Sequence, residues 1–370
     1  MRIIIIGGGI IGLTIARDLY KEGFEVVLVE KERIGRGASW VAGGMLAPQS
    51  EGLPVNDFFD FCIESRNMYK SYVESLENDT DMKVDYWESG IFCPAYSEEE
   101  AEVLKKNLEE YRKYGLTGGW LDRNEIEDMY KSLGESIVGG VLYPDDSQVD
   151  NRLLMFALEN YIRRKTMVRL YEGTTAIEIF ESKGRFQGVK TDKGLLVGDA
   201  CIIAAGAWSG EIENIPVFPV KGEMLATDIE PDDVDRVFFG SKAYLIPRKS
   251  YTRLVVGATE ENVGFKDGNT VKGVLQLLTG LKETLPHMVE RNLQEFWYGY
   301  RPATPDLEPI ICEGRVKNLY YATGHHRNGI LLAPITSKLF VDLFKNNIRS
   351  RYFDIFSYKR FEEKLNGKTG

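Results

Sequence analysis

The sequence has few of the residues that build metal sites and disulfide frameworks. Its 370 residues include three histidines and four cysteines, and no two cysteines have CxxC spacing. Widely separated cysteines without histidine neighbours are typical of reduced core residues. We therefore predict no disulfide framework and no metal centre from Cys62, Cys93, Cys201 and Cys312.

The chain also lacks a long apolar run and an excess of positive charge. Its most apolar stretch, "MRIIIIGGGIIGLTIA", is interrupted by glycines before it reaches the length of a membrane span or a secretory signal. The net charge of -10 disfavours a nucleic-acid partner, because phosphate contacts require a basic surface. We expect a cytoplasmic protein without a membrane or nucleic-acid partner. The length of 370 residues predicts roughly two domains. Because no internal repeat or long linker is evident, we expect the two domains to interleave.

The first specific motif lies at the N-terminus. A run of isoleucines precedes "GGGIIG", in which Gly7, Gly9 and Gly12 have GxGxxG spacing, and a helix pattern follows. A second strand, "EVVLVE", ends at Glu30. Here Gly7 permits a tight turn, Gly9 lets a pyrophosphate approach the backbone and Gly12 lets the helix pack on its strand, while Glu30 accepts ribose hydroxyl groups. This order of elements predicts a dinucleotide site.

Later stretches indicate which dinucleotide is bound. The Gly- and Ala-rich "RIGRGASWVAGGMLAP" does not fit a third βα unit of a nicotinamide domain and favours backbone lying close to a flat ligand. "DACIIAAGAWSG" predicts a buried strand that ends in a glycine turn, and "LYYAT" precedes Gly324 and a helix from Gly329. A helix N-terminus aimed at a flavin stabilises the negative charge of the reduced ring. We therefore predict FAD, with the cluster "GHHRNG" beside its reactive ring.

Seven motifs carry a resemblance to a known family along nearly the whole chain. They are "IIIIGGGIIG", "GASWVAGGMLAP", "AAGAWSG", "PVKGEML", "YLIPRKSYTRLVVGAT", "WYGYRPATPDLEPII" and "GHHRNGILLAP". In this order they resemble the D-amino-acid oxidase superfamily of FAD-dependent oxidoreductases, and within it they are most similar to the glycine-oxidising branch of thiamine biosynthesis.

The resemblance implies a fold that combines α/β and α+β parts. A glutathione-reductase-like FAD-binding Rossmann domain would comprise residues 1–83, 140–215 and 306–370. It would interleave with a substrate-binding domain of residues 84–139 and 216–305 that contains a large mixed antiparallel sheet. A homo-oligomer, specifically a tetramer, is also implied. We expect the FAD to be noncovalent, because the segment around Arg301 offers no cysteine before Cys312.

The resemblance also implies an activity. The expected reaction is the oxidative deamination of glycine, and of other small amines or D-amino acids, by hydride transfer to FAD. Its products would be the imine or glyoxylate, ammonia and hydrogen peroxide, with dioxygen as the acceptor. The imine, dehydroglycine, would supply the thiazole of thiamine.

The middle of the chain predicts the elements of such a substrate domain. Residues 97–113 read as a capped, solvent-facing helix, and residues 216–258 contain alternating strand-like runs. Residues 270–285 return to a helix pattern. "NLQEFWYGYRPATPD" then predicts a strand that stops at Pro302.

Hydride transfer needs no general base when the amine enters neutral, so the protein must chiefly hold the substrate carboxylate in place. The planar fork of an arginine does this through two parallel hydrogen bonds that lysine cannot copy. Arg301, after an aromatic strand, matches the carboxylate-binding arginine of the family. Tyr244 matches the tyrosine that supports the same carboxylate, and Arg327 matches an arginine beside the substrate. Without the resemblance, Arg301 also fits a salt bridge and Tyr244 also fits core packing.

The residues that we predict to bind the cofactor lie in or next to these motifs. They are Gly7, Gly9, Ile10, Ile11, Gly12, Glu30, Lys31, Ala38, Ser39, Gly43, Gly44, Met45, Ala176, Gly206, Trp208, His325, His326, Arg327, Asn328, Gly329, Ile330 and Leu331. The adjacent His325 and His326 lack a carboxylate at metal spacing, which favours flavin-facing backbone with incidental side chains. Glu260 is a departure, since related enzymes can carry an uncharged residue there.

Three alternatives remain open at this point. The chain could be a sarcosine or D-amino-acid oxidase of the same superfamily, which differs in whether the pocket admits an N-methyl group or a side chain. It could be a dehydrogenase that passes electrons to a quinone. It could also be an inactive FAD-binding scaffold subunit, although the presence of Arg301, Tyr244 and Arg327 together disfavours this.

Overall fold

The computed structural model describes residues 1–130, 132–250 and 252–361 of the chain. Its strands are β1 (Arg2–Ile6), β2 (Glu25–Val29), β3 (Met45–Leu46), β4 (Tyr86–Trp87), β5 (Ile91–Ala95), β6 (Gly119–Asp122), β7 (Gly139–Tyr143), β8 (Ser147–Val149), β9 (Arg169–Tyr171), β10 (Ala176–Ser182), β11 (Arg185–Thr191), β12 (Gly194–Val197), β13 (Ala200–Ile203), β14 (Phe218–Thr227), β15 (Val237–Phe239), β16 (Tyr244–Pro247), β17 (Leu254–Gly257), β18 (Leu293–Ala303), β19 (Ile310–Glu313) and β20 (Leu319–Thr323).

Its α-helices are α1 (Ile10–Lys21), α2 (Ala38–Val41), α3 (Asp57–Thr80), α4 (Glu98–Lys113), α5 (Arg123–Met129), α6 (Asn151–Arg164), α7 (Ser209–Ile212), α8 (Val271–Thr284), α9 (Gly329–Asn346) and α10 (Tyr352–Ile355). Two short 3-10 helices span Gly206–Trp208 and Pro286–Glu290.

The strand β1 lies within a six-stranded sheet with the order β19-β20-β13-β1-β2-β9. It pairs in parallel with β2 and β13, while the edge strand β19 runs antiparallel to β20. Ile3 and Ile5 pack into a core on the helix side, and Ile4 and Ile6 pack into a second core that includes residues of β10 and β11. The run is apolar throughout because both faces of β1 are buried.

Helices α1, α3, α6 and α9 pack together beside this sheet. The helix α9 contacts both α1 and α3, and the hydroxyl of Ser337 on α9 donates to Asp18 of α1 at 2.6 Å. The last long helix of the described chain is thus anchored on the first, which brings both of their N-termini to the same region.

A second, eight-stranded sheet has the order β18-β14-β17-β16-β15-β5-β7-β6. It is antiparallel except where β15 pairs in parallel with β5. Leu225 and Leu245 join a core that includes residues of α8, and their neighbours Met224 and Ile246 join a core that includes residues of α4. The sheet therefore has helices on both faces.

The predicted helices of this region are confirmed, with caps that explain where they begin. The Ser97 side chain accepts the N–H of Glu100 at the start of α4, and the Thr270 side chain accepts the N–H of Gly273 at the start of α8. Each cap satisfies a backbone donor that the first helical turn leaves free.

The predicted stop of the aromatic strand at Pro302 is wrong by one residue, because β18 continues to Ala303. Pro302 is tolerated because β18 is an edge strand of the sheet, where a residue without an N–H need not break a ladder on both sides. The carbonyl of Pro302 accepts the N–H of His326 at 2.9 Å. This bond connects the end of β18 to the segment before α9.

The two large sheets take their strands from alternating parts of the chain. The predicted boundary at residue 140 falls inside β7, whose pairing with β5 and β6 places it in the eight-stranded sheet. The predicted segments also contain Lys131, Tyr251 and residues 362–370, which lie outside the described residues.

All four cysteines are buried with free thiols. Within residues 1–130, 132–250 and 252–361, no group of three or more His, Cys, Asp or Glu side chains is arranged to hold a metal ion. None of the helices that the structure describes is both long and apolar enough to cross a membrane.

Candidate active site

A cavity of about 1120 Å³ is lined by residues from both large sheets. It collects most of the predicted site residues, namely Gly7, Gly9, Ile10, Ile11, Glu30, Lys31, Ala38, Ser39, Gly43, Gly44, Met45, Ala176, Gly206, Trp208, Tyr244, Arg301, His325, His326, Arg327, Gly329 and Ile330. Three predicted cofactor residues, Gly12, Asn328 and Leu331, do not line it. Leu331 belongs instead to the hydrophobic core beside the six-stranded sheet, because this position of α9 faces its neighbouring helices.

The glycines between β1 and α1 allow very close backbone packing. Gly7 has a φ of 110° and donates its N–H to the Val29 carbonyl at 2.8 Å. A Cβ on Gly7 would lie 2.3 Å from the Ala204 oxygen, and a Cβ on Gly12 would lie 1.9 Å from the Gly7 oxygen. Gly9 differs, since a Cβ there would meet the Ser39 hydroxyl at 3.3 Å. Gly7 and Gly12 thus shape the turn, while Gly9 leaves backbone open towards the cavity.

The acid at the end of β2 sits beside this turn. The Glu30 carboxylate accepts the N–H of Gly8 at 2.8 Å and the N–H of Glu32 at 2.9 Å. A carboxylate has about four acceptor positions, so two remain for hydroxyl donors. The first turn of α1 contains no acidic residue, and the Ser39 hydroxyl accepts the N–H of Ile10 at 2.9 Å.

A buried arginine that the sequence analysis did not identify fixes the glycine-rich stretch. Arg248 donates to the carbonyl of Gly43 at 3.0 Å and to the side chain of Asn151 at 2.7 Å. Asn151 in turn donates to the carbonyls of Ser39 and Trp40, both at 2.9 Å. Burial lowers the pKa of Arg248 to about 10, so it stays charged at neutral pH. Arg248 and Asn151 therefore fix the backbone of residues 39–43, which forms part of the cavity wall.

The stretch after β13 forms another part of the wall. Gly206 has a φ of 55° and opens a short 3-10 helix that ends at Trp208. The Trp208 ring stacks on Phe265 with a centroid distance of 4.8 Å, and the Lys31 ammonium lies 3.5 Å from the ring centroid. Ala176, at the start of β10, lines the same cavity. These residues offer an apolar surface with one positive charge.

The two histidines before α9 are buried and neutral. His325 Nε2 lies 3.2 Å from the Thr336 hydroxyl, and burial lowers the pKa of His325 to about 3. His326 has a φ of 47°, and its buried Nε2 has no hydrogen-bond partner among the described residues. Burial, with smaller contributions from Arg327 and Arg301, lowers its pKa to about 3 as well. His326 lines the cavity, and its unpaired Nε2 is expected where a bound ligand supplies the hydrogen-bond partner.

Arg301 lies on β18 and reaches across the neighbouring strand β14. Its Nη1 donates to the Thr259 carbonyl at 3.1 Å. A Cβ on Gly222 of β14 would lie 2.5 Å from this nitrogen, so the guanidinium has space because residue 222 is glycine. The backbone bonds of Arg301 come from Nη1, which leaves the other donors of the fork for a carboxylate.

Tyr244 begins β16 and lines the same region of the cavity. Its ring passes over Gly257 of β17, where a Cβ would lie 2.2 Å from the ring. Burial raises the pKa of its hydroxyl, an effect that Arg301 opposes. The phenol therefore keeps its proton at neutral pH and can donate a hydrogen bond.

Arg327 follows the histidines and is partly exposed. Its Nη2 donates to Glu260 at 2.8 Å, and both side chains line the cavity. Glu260 therefore faces the cavity and is paired with a predicted site arginine.

Glu51 is a cavity residue that the sequence analysis missed. It lies just beyond the glycine-rich motif, and the Asn328 amide donates to its Oε2 at 3.3 Å. Burial raises the pKa of Glu51 to about 7, although Arg327 opposes the shift. Its position after "GGMLAP" was the one available signal, and an acid in a loop is too common to be informative.

The residues around the cavity fit FAD. The turn at Gly9 presents backbone without a side chain, Glu30 keeps acceptor positions for a ribose, and the buried nitrogen of His326 lacks a partner. The N-termini of α1 and α9 both reach the cavity and have no acid in their first turns. Such helix ends favour the negative charge of a pyrophosphate or a reduced flavin.

Comparisons with known proteins agree with this geometry. The bifunctional protein ThiO/ThiG of Trichormus variabilis is 37% identical over 369 residues, which cover 98% of this chain and 55% of that protein. The chain thus spans about half the length of this relative. The glycine oxidase of Geobacillus kaustophilus is 33% identical, with 92% of this chain and 91% of that protein covered.

A solved structure and a family model extend the match. The crystal structure of glycine oxidase from Geobacillus kaustophilus superposes with a TM-score of 0.91 at 31% identity and covers 97% of this chain and 99% of that one. The model of the family described as FAD dependent oxidoreductase matches residues 2–343. With relatives above 30% identity over nearly its full length and a family model that covers most of it, the chain belongs to the DAO family of FAD-dependent oxidoreductases.

Proposed function

We propose that this protein catalyses the oxidative deamination of glycine, and of other small amines or D-amino acids. Glycine would give an imine that water converts to glyoxylate and ammonia, with dioxygen reduced to hydrogen peroxide. The observation that carries the proposal is the convergence of Arg301, Tyr244 and Arg327 on the cavity that contains the glycine turn at Gly9. The glycine oxidase and ThiO/ThiG relatives support it, and with them a role of the imine as a precursor of the thiamine thiazole.

The cofactor would be held, without a covalent bond, by groups from both ends of the chain. Backbone at Gly9 and the N-terminus of α1 suit the pyrophosphate, Glu30 suits the ribose, and the N-terminus of α9 suits the flavin. The chemistry that bound FAD would supply there is acceptance of a hydride from the substrate α-carbon and transfer of the electrons to dioxygen.

The substrate would be oriented by three side chains. The free donors of the Arg301 fork bind the carboxylate, and the protonated hydroxyl of Tyr244 donates a further hydrogen bond to it. Arg327, which is paired with Glu260, lines the same cavity. Because the carboxylate is fixed at these groups, the α-carbon of a small amino acid takes a defined position.

We also propose the assignment of the two sheets to domains. The six-stranded sheet and the helices beside it would form a glutathione-reductase-like FAD-binding domain from residues 1–83, 140–215 and 306–370. The strand β7 is an exception, because its pairing with β5 and β6 supports its assignment to the substrate domain. The eight-stranded sheet would belong to the substrate domain, from residues 84–139 and 216–305. A cytoplasmic location remains a prediction from the apolar pattern of the sequence, and a homo-oligomer, specifically a tetramer, remains a prediction from the resemblance.

Anaerobic reduction of the purified holoenzyme tests the function. Glycine, sarcosine, D-alanine and methylamine would be added separately, and loss of the visible flavin absorbance would be followed. We expect rapid bleaching by glycine and colour recovery with peroxide formation on admission of air. Faster bleaching by sarcosine or D-alanine would favour the related oxidases, whereas no bleaching by any of the four would overturn the proposal and favour a scaffold subunit.

The noncovalent attachment has its own test. Acid precipitation of the protein should release the flavin into the supernatant. Flavin that remains in the washed pellet would contradict this part of the proposal.

A further inference from the structure

Glu51 is the carboxylate in the candidate active site to which the proposed reaction assigns no role. It lines the cavity together with Arg301, Tyr244 and Arg327. Among the described residues, its side chain receives one long hydrogen bond, 3.3 Å from the Asn328 amide. Most of its acceptor positions are therefore available to a ligand that carries donors.

A nearby acid, Asp146, is fully buried and has a structural role. It accepts hydrogen bonds from Arg66 at 2.7 Å, from the Ser50 N–H at 2.8 Å and from the Ser50 hydroxyl at 2.7 Å. The contrast with Glu51 is clear, because Asp146 is surrounded by donors and is absent from the cavity lining. Asp146 is thus a structural acid, whereas Glu51, next to the Ser50 that bonds to Asp146, faces the cavity.

We propose that Glu51 accepts the proton of the substrate ammonium group. This inference rests on the proposed function. An amino acid bound through its carboxylate at Arg301 and Tyr244 would carry its ammonium beside the Glu51 carboxylate. One N–H bond breaks and one O–H bond forms, which gives a neutral amine and a protonated Glu51 without any redox change. Hydride removal from the α-carbon requires this neutral amine, because its nitrogen lone pair stabilises the developing imine.

The surroundings of Glu51 suit a proton acceptor that works near neutral pH. Burial raises its pKa to about 7, with Asp146 adding to the rise and Arg327, Asn328 and Arg301 opposing it. A base with a pKa near the working pH combines a substantial ionised fraction with useful basicity.

Burial moves the pKa values of several other titratable groups around Glu51 away from neutrality. His326 has a pKa of about 3, and burial raises the pKa values of Cys62, Tyr111 and Tyr244. Asp146 is paired with Arg66, and burial raises its pKa while Arg66 opposes the shift. Comparison of the wild type with Glu51→Gln therefore identifies the proton that belongs to Glu51.

The first test is the pH dependence of kcat/KM for glycine in Glu51→Gln. In the wild type we expect kcat/KM to level off above about pH 7. In the variant, kcat/KM should fall by about 100-fold at pH 7 and then rise tenfold per pH unit towards the wild-type value, as the free amine replaces the acceptor. Glu51→Asp should recover part of the loss. The exposed cavity acid Glu99 provides the control, since Glu99→Gln should keep the wild-type profile.

The second test measures binding rather than turnover. Acetate has a carboxylate but no ammonium, so its negative charge near Glu51 should favour the protonated acid. Calorimetry of acetate binding at pH 7, in two buffers of different ionisation enthalpy, should show proton uptake by wild-type holoenzyme. That uptake should be absent in Glu51→Gln with its normal FAD content and spectrum.

The outcomes separate the two proposals. A wild type that oxidises glycine, combined with a Glu51→Gln variant that keeps both the plateau and the proton uptake, would overturn the role of Glu51 alone. A wild type that no amine reduces would overturn the proposed function and this inference with it.

Discussion

At the scale of the residue, only one nitrogen of the Arg301 guanidinium donates to backbone carbonyls, and its other N–H groups are available to a ligand. Its Nη1 is bound to the Thr259 carbonyl, and its side chain lies over Gly222 of the adjacent strand. In the proposed reaction, the backbone contact would restrict the guanidinium before a substrate enters. Such preorganisation matters because a small displacement of the substrate carboxylate also displaces the α-carbon.

Arg301→Lys should therefore lower activity without loss of fold or FAD. A lysine keeps the charge but loses the fork, so kcat/KM for glycine should fall by about two to four orders of magnitude. Methylamine, which has no carboxylate, should be oxidised at a nearly unchanged rate. Steady-state peroxide assays on the wild type, Arg301→Lys and Arg301→Ala measure this. Activity of Arg301→Lys within about threefold of wild type would show that Arg301 does not bind the substrate carboxylate.

The buried histidines predict how stability depends on pH. His325 stays neutral when folded because burial lowers its pKa to about 3, and it gains a proton below about 6.5 once unfolded. Its contribution to stability is therefore complete above pH 6.5 and falls by about 1.4 kcal/mol per pH unit as the pH decreases towards 3. His326 acts in the same direction. Glu51 acts oppositely, since its raised pKa contributes stability that is lost as the pH rises from about 4.5 to about 7.

His325→Gln isolates one of these contributions, because glutamine can still reach Thr336 but does not titrate. Denaturant unfolding between pH 4.5 and 6.5, at constant free FAD, should give a weaker pH dependence than in the wild type. The difference in slope should be about 1.4 kcal/mol per pH unit. Equal slopes in the two proteins would mean that His325 is protonated in the folded state.

At the scale of the element, β14 leaves space for the Arg301 guanidinium because its residue 222 is glycine. In the register of β14 and β18, Gly222 lies opposite Gly299, and Val220 lies opposite Arg301. The guanidinium of Arg301 extends diagonally to the position above Gly222. Diagonal neighbours on a sheet lie within reach of long side chains, so this arrangement follows from the register.

Gly222→Ala should consequently displace Arg301 without unfolding the sheet. The new Cβ would lie 2.5 Å from Arg301 Nη1, and the guanidinium end of a flexible side chain can move away. We expect kcat/KM for glycine to fall at least about tenfold, mainly through KM. Gly119→Ala on β6 of the same sheet is the matched control, because a Cβ there meets no atom within 4 Å. Similar kinetics in both variants would contradict the steric role of Gly222.

Local patterns were sufficient to predict most elements near the site. The conformation of these elements depends on residues close by in the sequence. They are the isoleucine run, the glycines after it and the capped helices α4 and α8. The resemblance to the FAD-dependent oxidoreductases was likewise confirmed, because its motifs are short and ordered. Arg248 and Glu51 were missed because their significance comes from partners far away in sequence, such as Gly43 and Asn328. The roles of the site residues themselves remain predictions.

At the scale of the whole molecule, Arg248 connects the eight-stranded sheet to the glycine-rich wall of the cavity and to the start of α6. It follows β16 of the eight-stranded sheet and bonds to Gly43, Asn151 and the Val149 carbonyl. Its Nε also lies 3.5 Å from Asp150. One buried side chain thus joins the eight-stranded sheet to the glycine-rich wall.

Arg248→Met should destabilise the whole protein. The change leaves buried acceptors and Asp150 without their partner, which costs about 3 to 5 kcal/mol. Arg253→Met, in the hairpin that follows, removes a more exposed ion pair with Glu295 and should cost less than about 1 kcal/mol. Urea denaturation followed by protein and flavin fluorescence measures both. Comparable losses in the two variants would contradict the connecting role of Arg248.

The alternation of strands between the two sheets also has a consequence for protein synthesis. Ile3 of β1 pairs with Ala200 of β13, which in turn neighbours β20 near the end of the described chain. During translation, the first strand emerges long before these partners and must wait on the ribosome with one edge unpaired. The cradle for FAD is therefore completed late, so we expect ribosome-bound chains to remain without flavin until α9 has left the exit tunnel.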